Sequence, residues 1–271
     1  MPGAGFSRRK IGGLVVYSCS HLDRMAGLRH GFSTRHGGVS APPARSLNLS
    51  TAGWDLPEYV AENRRRFLSA LHLAPESLTT VSQVHSGEFH IINGDPHQWN
   101  PRTPGDALAT LQPGSALAVL VADCFPLLIA DPQTGAIAAI HAGWRGVLAG
   151  IVPRTLAGMR QDLGVDPSGA VVAIGPGIRK CCLEVGSEVA PAFDHEFADR
   201  AVCAPRAASA GKYLLDLPLA LNRQLEAAGI SRGNVHDLGL CTRCHRDEFF
   251  SYRAEGDRAG RLMAVICRDQ S

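Results

Sequence analysis

The run Leu127 to Ala130, the turn Asp131-Pro132-Gln133-Thr134-Gly135 and the run Ile137 to His141 constrain this chain more than any other stretch. Both runs are apolar and bounded by turn formers, which reads as two strands. The connection is too short to carry a crossover helix, so the strands must be antiparallel neighbours. A doubly wound parallel sheet, whose strands return through helices, is thereby excluded. The hairpin also has a chemical consequence. Cys124 lies just before its first strand and His141 ends its second, so both fall at one end and can meet.

The remaining periodicity agrees with α+β. Val15 to Tyr17, Leu78 to Val84, Phe89 to Ile92, Ala116 to Val121, Val171 to Ile174, Tyr213 to Asp216 and Met263 to Cys267 read as further strands. Pro57 to Leu71, Arg145 to Leu163, Val185 to Phe193 and Leu217 to Ala228 have helical spacing, the last closed by Gly229. The chain has 271 residues, 45% of them hydrophobic, enough for a sizeable core. No repeat or long linker divides it, so one domain over residues 1–271 is expected.

A formal net charge of +2 gives no broad electrostatic case for nucleic acid or an anionic membrane surface. Small polar substrates remain. Only Lys10, Lys180 and Lys212 are lysines, so cationic sites will mostly be guanidinium forks, which match phosphate and carboxylate well. Arg64, Arg65 and Arg66 form a basic run that reads as a solvated helix face. The longest apolar stretch, Ala116 to Ala122 continued by Phe125 to Ala130, is broken by Asp123 and Pro126, so no membrane span is expected. Ile11 to Tyr17 is too short for the core of a signal peptide. The 8 cysteines then read as reduced thiols of a cytoplasmic protein.

Three islands carry chemistry: Gln83-Val84-His85-Ser86, Ala122-Asp123-Cys124-Phe125-Pro126 and Ile140-His141-Ala142-Gly143-Trp144-Arg145-Gly146. His85 follows an apolar run and reaches the hairpin's edge if that strand joins nearby. Two imidazoles and a thiolate suit Zn2+, and three protein ligands leave the fourth position open, as catalytic zinc requires. The same trio also serves a thiol hydrolase with Cys124 as nucleophile and a histidine as base. Spacing does not separate the two, and each residue alone has an ordinary structural reading, the cysteine as a small buried apolar side chain.

Taken together, the islands resemble the laccase-domain family, also called multicopper polyphenol oxidase or purine nucleoside phosphorylase family proteins. The matching stretches are His30-Gly31-Phe32-Ser33-Thr34-Arg35-His36-Gly37-Gly38, Leu47-Asn48-Leu49, Gln83-Val84-His85, Gly105-Asp106-Ala107-Leu108, Ala122-Asp123-Cys124, His141 to Gly146, Ile174-Gly175-Pro176, Cys182 to Gly186, Cys241-Thr242 and Ser251-Tyr252-Arg253. The resemblance implies a zinc site of His85, Cys124 and His141. It implies an αββα-like sandwich of mixed sheets flanked by helices, shared with cysteine-hydrolase-like bacterial toxins. It also implies phosphorolysis of purine nucleosides (adenosine, inosine, guanosine and methylthioadenosine) with associated adenosine deamination.

The family's older name can be tested on residues. A laccase needs a trinuclear copper cluster beside its blue-copper centre, hence closely paired histidines, and no His-x-His occurs here. His85, Cys124 and His141 would accept copper in vitro, but such a lone centre does not reduce dioxygen by itself. Copper-dependent polyphenol oxidation therefore ranks below phosphorolysis. Phosphorolysis needs an oxyanion pocket. Arg35, in a Gly-rich loop, is the first candidate, with Asn48, Arg145, Ser251 and Arg253 as further phosphate or ribose contacts. Deamination needs a carboxylate to move a proton; Asp123 is first and Asp106 second. Neighbours in a strand point to opposite faces, so Asp123 serves only if the chain turns there; otherwise it would accept an N–H from a ligating histidine.

Cys241-Thr-Arg-Cys244, followed by His245, has the spacing of half a zinc knuckle, with Cys181-Cys182 as the other half. Adjacent cysteines are poor partners in one tetrahedral site, so no second metal is expected. The alternatives to a phosphorylase are a cysteine-dependent hydrolase or amidase editing peptidoglycan precursors, and a metal- or partner-binding module. A monomer or small homo-oligomer is expected.

Overall fold

The computed structural model describes residues 3–43, 45–51, 55–95, 98–198, 201–206 and 209–269. The strands are β1 (Phe6–Ile11), β2 (Leu14–Cys19), β3 (Leu28–Ser33), β4 (Leu78–Thr79), β5 (Phe89–Ile92), β6 (Ala107–Thr110), β7 (Ala116–Val121), β8 (Phe125–Ala130), β9 (Ile137–Ala142), β10 (Val171–Ile174), β11 (Glu184–Gly186), β12 (Cys203–Pro205), β13 (Lys212–Leu215), β14 (Val235–Asp237) and β15 (Leu262–Arg268). The helices are α1 (Ser20–Asp23), α2 (Pro57–Ala70), α3 (Trp144–Leu148), α4 (Ile151–Leu163), α5 (Ala190–Phe197), α6 (Leu217–Ala227) and α7 (Tyr252–Glu255).

Two six-stranded sheets dominate, one in the order β1-β2-β3-β15-β7-β4 and one in the order β14-β10-β8-β9-β6-β5; β11, β13 and β12 form a smaller third sheet. Both large sheets are mixed, with β4 parallel to β7, β5 parallel to β6 and β14 parallel to β10.

Period-two alternation places the layers. Leu117, Val119 and Val121 of β7 share one apolar cluster with Leu128 and Ala130 of β8, which is the space between the two sheets. Ala116 and Ala118 of β7 instead join Phe67 and Leu68 of α2. Phe125, Leu127 and Ile129 of β8 join residues of α4, α5 and α6. The layer order is therefore helix, sheet, sheet, helix, the expected αββα arrangement.

The hairpin forms as its turn requires, with Leu127 opposite Ile140 and Pro126 opposite His141. The Asp131 carboxylate accepts the Thr134 hydroxyl at 2.7 Å and the amide N–H groups of Gln133 and Thr134 at 3.1 Å, which fixes the turn.

Three elements differ from the sequence expectation. The span Arg145 to Leu163 is two helices: Gly150 sits between them at φ +73°, and Pro153 has no N–H to continue a helix begun at residue 145. The helix expected over Val185 to Phe193 is a strand followed by a later helix. Val185 pairs with Tyr213 in the third sheet, and Pro191, tolerated only in a first turn, starts α5 at Ala190. The strand expected over Leu78 to Val84 ends at Thr79, where the chain leaves the sheet toward the site.

His30 on β3 is an interior residue. Its ring is buried, and Nε2 accepts the Cys19 N–H at 2.8 Å. Burial lowers its pKa to about 4, with Asp23 opposing. The unfolded chain, near 6.5, thus binds more protons between pH 6.5 and pH 4. His30 supports the fold fully above pH 6.5, and that support is lost as pH falls, by about 3 kcal/mol at most. Chemical denaturation across this range should show the loss, and His30→Gln, which keeps an acceptor for Cys19 without titrating, should flatten it. An unchanged slope in the variant would contradict the assignment.

Candidate metal centre and its cavity

His85, Cys124 and His141 arrive from three parts of the fold. Cys124 lies in the short crossing from β7 in the first sheet to β8 in the second, and His141 is the last residue but one of β9, opposite Pro126. His85 comes off the edge of the first sheet. After β4 the Gln83 side chain donates to Leu120 O at 2.7 Å and accepts the Leu120 N–H at 2.8 Å. The amide thus takes the place of a peptide group along β7 and sets His85 two residues on.

The ligand atoms of the trio lie within 4.8 Å of one another. The two rings meet edge to face, with centroids 4.8 Å apart. Gly143 makes room for this approach. A Cβ there would lie 2.8 Å from Cys124 Sγ and 3.1 Å from His85 Cδ2, so any side chain would wedge the donors apart.

Asp106, fully buried just before β6, organises two of the three ligands. Its Oδ1 faces His141 Nδ1 at 2.8 Å and accepts the His85 N–H at 3.0 Å; Oδ2 accepts the Ser86 N–H at 2.6 Å and its hydroxyl at 2.9 Å. A carboxylate can only accept, so His141 Nδ1 carries the proton and Nε2 is left for the cluster. The consecutive amides around the carboxylate form an anion nest. The nest also holds His85 at φ +59°, a left-handed conformation that costs a non-glycine residue about 1–2 kcal/mol.

The charges follow from this packing. Burial alone would push the Cys124 thiol up, but His141 and His85 outweigh it and bring its pKa down to about 6. Burial would likewise keep His141 neutral, but Cys124 and Asp106 raise its pKa to about 9. Burial also opposes ionisation of Asp106, yet His141 and Ser86 bring it to about 2. At neutral pH the cluster is a thiolate beside an imidazolium, with a carboxylate behind. A divalent cation can displace the imidazolium proton and keep the thiolate, and the donor set, two nitrogens and one sulfur, suits zinc.

The trio opens on a cavity of about 840 Å3, within the usual range for a small-molecule site. Val81, Leu120, Ile178 and Leu183 give it apolar walls, Trp144 and Tyr252 add aromatic ones, and Arg145, Arg253 and Arg261 bring positive charge. The Arg145 guanidinium lies 4.3 Å from the centre of the Trp144 ring. Arg253 Nη1 donates to Glu184 O at 2.9 Å.

The other sequence candidates divide. Asp123 lines the cavity, and the chain does turn there, at φ +85°. Its oxygens accept the Thr242 hydroxyl and the Arg253 N–H, both at 2.6 Å. The histidine contact weighed for Asp123 belongs to Asp106. Arg35 is not among the cavity's lining residues. Its guanidinium donates to Glu255 at 2.7 Å and to Arg246 O at 2.8 Å and lies 4.5 Å from the centre of the Phe250 ring, so it ties the Gly-rich loop to the segment around Phe250. Asn48 is also structural, donating to Asp55 at 2.8 Å and accepting the Arg261 N–H at 2.9 Å. Ser251 is fully buried behind the wall. Sequence reasoning missed Arg261, Ser50 and Thr51, which line the cavity and stand in no metal- or phosphate-like spacing.

Comparison with known proteins gives the chain a family and a fold. The family described as multi-copper polyphenol oxidoreductase laccase matches residues 29–269. A protein of Deinococcus radiodurans named purine nucleoside phosphorylase is 40% identical over 247 residues, covering 88% of each chain. One of Bacteroides thetaiotaomicron with the same name is 36% identical over 252 residues, 90% of this chain and 93% of the relative. The crystal structure of YlmD from Geobacillus stearothermophilus superposes with a TM-score of 0.85 at 32% identity, covering 98% of this chain and 99% of that one.

Proposed function

The chain belongs to the multi-copper polyphenol oxidoreductase laccase family, and from that premise we propose that it is a zinc-dependent purine nucleoside phosphorylase with adenosine deaminase activity. Its substrates would be adenosine, inosine, guanosine or methylthioadenosine with phosphate, and its products the base and the sugar 1-phosphate. The whole chain would form one cytoplasmic domain; among the described residues no helix is long and apolar enough to cross a membrane. The observation that carries this reading is the three-ligand cluster opening on a cavity with both aromatic and arginine walls.

His85, Cys124 and His141 would hold the metal. Bound there, Zn2+ would supply Lewis acidity to the reaction. Trp144 and Tyr252 offer flat faces for a purine, whose stacking is tolerant of base identity. Arg145 and Arg253 suit a phosphate dianion, which a guanidinium can grip through two N–H groups. A phosphate held by them would meet the anomeric carbon as the bond to the purine weakens, and its charge would stabilise the cationic sugar. For deamination, Asp123, one of the cavity's carboxylates and held by Thr242 and the Arg253 N–H, would move the proton.

Removing one phosphate contact should raise KM for phosphate more than it lowers kcat. A charge-assisted hydrogen bond lost in Arg145→Met corresponds to about 10- to 100-fold in phosphate KM. Initial-rate kinetics with phosphate varied at saturating adenosine would read this. An unchanged phosphate KM would remove Arg145 from the phosphate site. The thiolate–imidazolium pair is the one feature that favours the second reading, a metal-free cysteine hydrolase or amidase acting on peptidoglycan precursors.

A further inference from the structure

We propose that Cys181, Cys182, Cys241 and Cys244 form a second metal centre, a structural Zn2+ site with four thiolate ligands. The four sulfurs lie within 4.8 Å of one another. Cys244 Sγ is 3.7 Å from Cys181 Sγ and 3.4 Å from Cys182 Sγ. Disulfide sulfurs would sit about 2.05 Å apart. The separations instead approach the roughly 3.8 Å edge of a tetrahedron whose corners each lie about 2.3 Å from a zinc ion.

Adjacent cysteines are poor partners in one tetrahedral site where the chain is extended and neighbouring side chains diverge. Here the pair lies in a tight turn: the Cys182 and Leu183 N–H groups both reach back to Arg179 O, at 2.8 and 2.9 Å. On the other side His245 N–H donates to Cys241 O at 3.0 Å, closing a helical turn that carries Cys241 and Cys244, three residues apart, on one side. The Arg179 N–H reaches Cys241 Sγ at 3.5 Å and Arg243 Nη1 reaches Cys182 Sγ at 3.7 Å. Such N–H donors disperse the excess negative charge of a tetrathiolate.

Four protein ligands leave no open position, so the centre is structural and not catalytic. Its place in the fold gives it a task. One cysteine pair follows Ile178, whose N–H donates to Asp123 O at 2.7 Å; the other flanks Thr242, whose hydroxyl holds the Asp123 carboxylate. Ile178 and Leu183 line the cavity. The ion would staple together the two segments that support this wall.

The test is zinc content by mass spectrometry of protein purified under reducing conditions without added metal. The variants Cys124→Ser and Cys124→Ser/Cys244→Ser are compared with the wild type. We expect about two zinc ions per chain in the wild type, about one in the single variant and none in the double variant. Cobalt exchanged into the Cys124→Ser protein should give the intense sulfur-to-metal absorption of several thiolates, a readout that does not require the double variant to fold. Cys124→Ser protein that takes up no zinc or cobalt when supplied in excess would overturn the proposal. A disulfide among the four cysteines whose reduction yields no metal binding would overturn it too.

Discussion

Cys124→Ser should empty the cluster of His85, Cys124 and His141 and lower phosphorolysis by more than about 10³-fold. The thiolate is the one anionic donor of the trio. A serine hydroxyl at the same place stays protonated at neutral pH and is a poor zinc ligand, so two neutral imidazoles would remain. Losing a single hydrogen-bond donor to a developing charge typically costs about 10²–10³ in rate, and losing a divalent cation should cost more. Zinc content and turnover measured on the same folded sample would check both halves. Full activity in a zinc-free serine variant would contradict the metal reading outright.

Asp106→Asn should weaken metal binding about 10- to 100-fold and destabilise the fold by about 2–3 kcal/mol. The substitution changes no volume, so the effect comes from hydrogen bonding. The carboxylate receives the N–H groups of His85 and Ser86 and faces His141 Nδ1. An amide has one accepting oxygen, so its NH2 must face an N–H donor at one end, leaving that buried donor unsatisfied. If the NH2 faces His141, the ring's proton moves to Nε2, the atom the metal needs. Zinc affinity from chelator competition and stability from denaturant unfolding should fall together, whereas a purely structural carboxylate would lower stability and leave zinc affinity as it was.

Much of this site could be read from the chain because the hairpin is local. Its turn forces β8 and β9 together, and that alone brings Cys124 to His141. His85 is harder, since it depends on Gln83 docking along β7, a contact between side chain and backbone that no periodicity reports. Asp106 stands in the Gly105-Asp106-Ala107-Leu108 stretch, but its partners are 20 and 35 residues away, and nothing local distinguishes it from Asp123. Arg35 shows the opposite failure. A guanidinium in a Gly-rich loop looks like an anion site, yet it is taken up by the Arg45 carbonyl within the loop and by Glu255 and the Arg246 carbonyl, more than 200 residues downstream. The cysteine cluster is hidden for a similar reason: adjacent cysteines read as poor partners in one tetrahedral site, and only the turn closed on Arg179 O brings them to Cys241 and Cys244. The helix boundaries that moved were marked by Pro153 and Pro191, whose missing N–H groups place a helix start more firmly than apolar spacing does.

Under the proposed function, a zinc ion held by His85, Cys124 and His141 would let this cavity cleave purine nucleosides with phosphate. The most direct measurement is chromatographic assay of adenosine conversion, with and without phosphate, on protein as purified, after chelation, and after zinc is returned. Adenine and ribose 1-phosphate are expected only with phosphate present, with loss of that activity on chelation and its recovery with zinc. Turnover that ignores chelation but stops when Cys124 is alkylated would contradict it and make the cysteine a nucleophile.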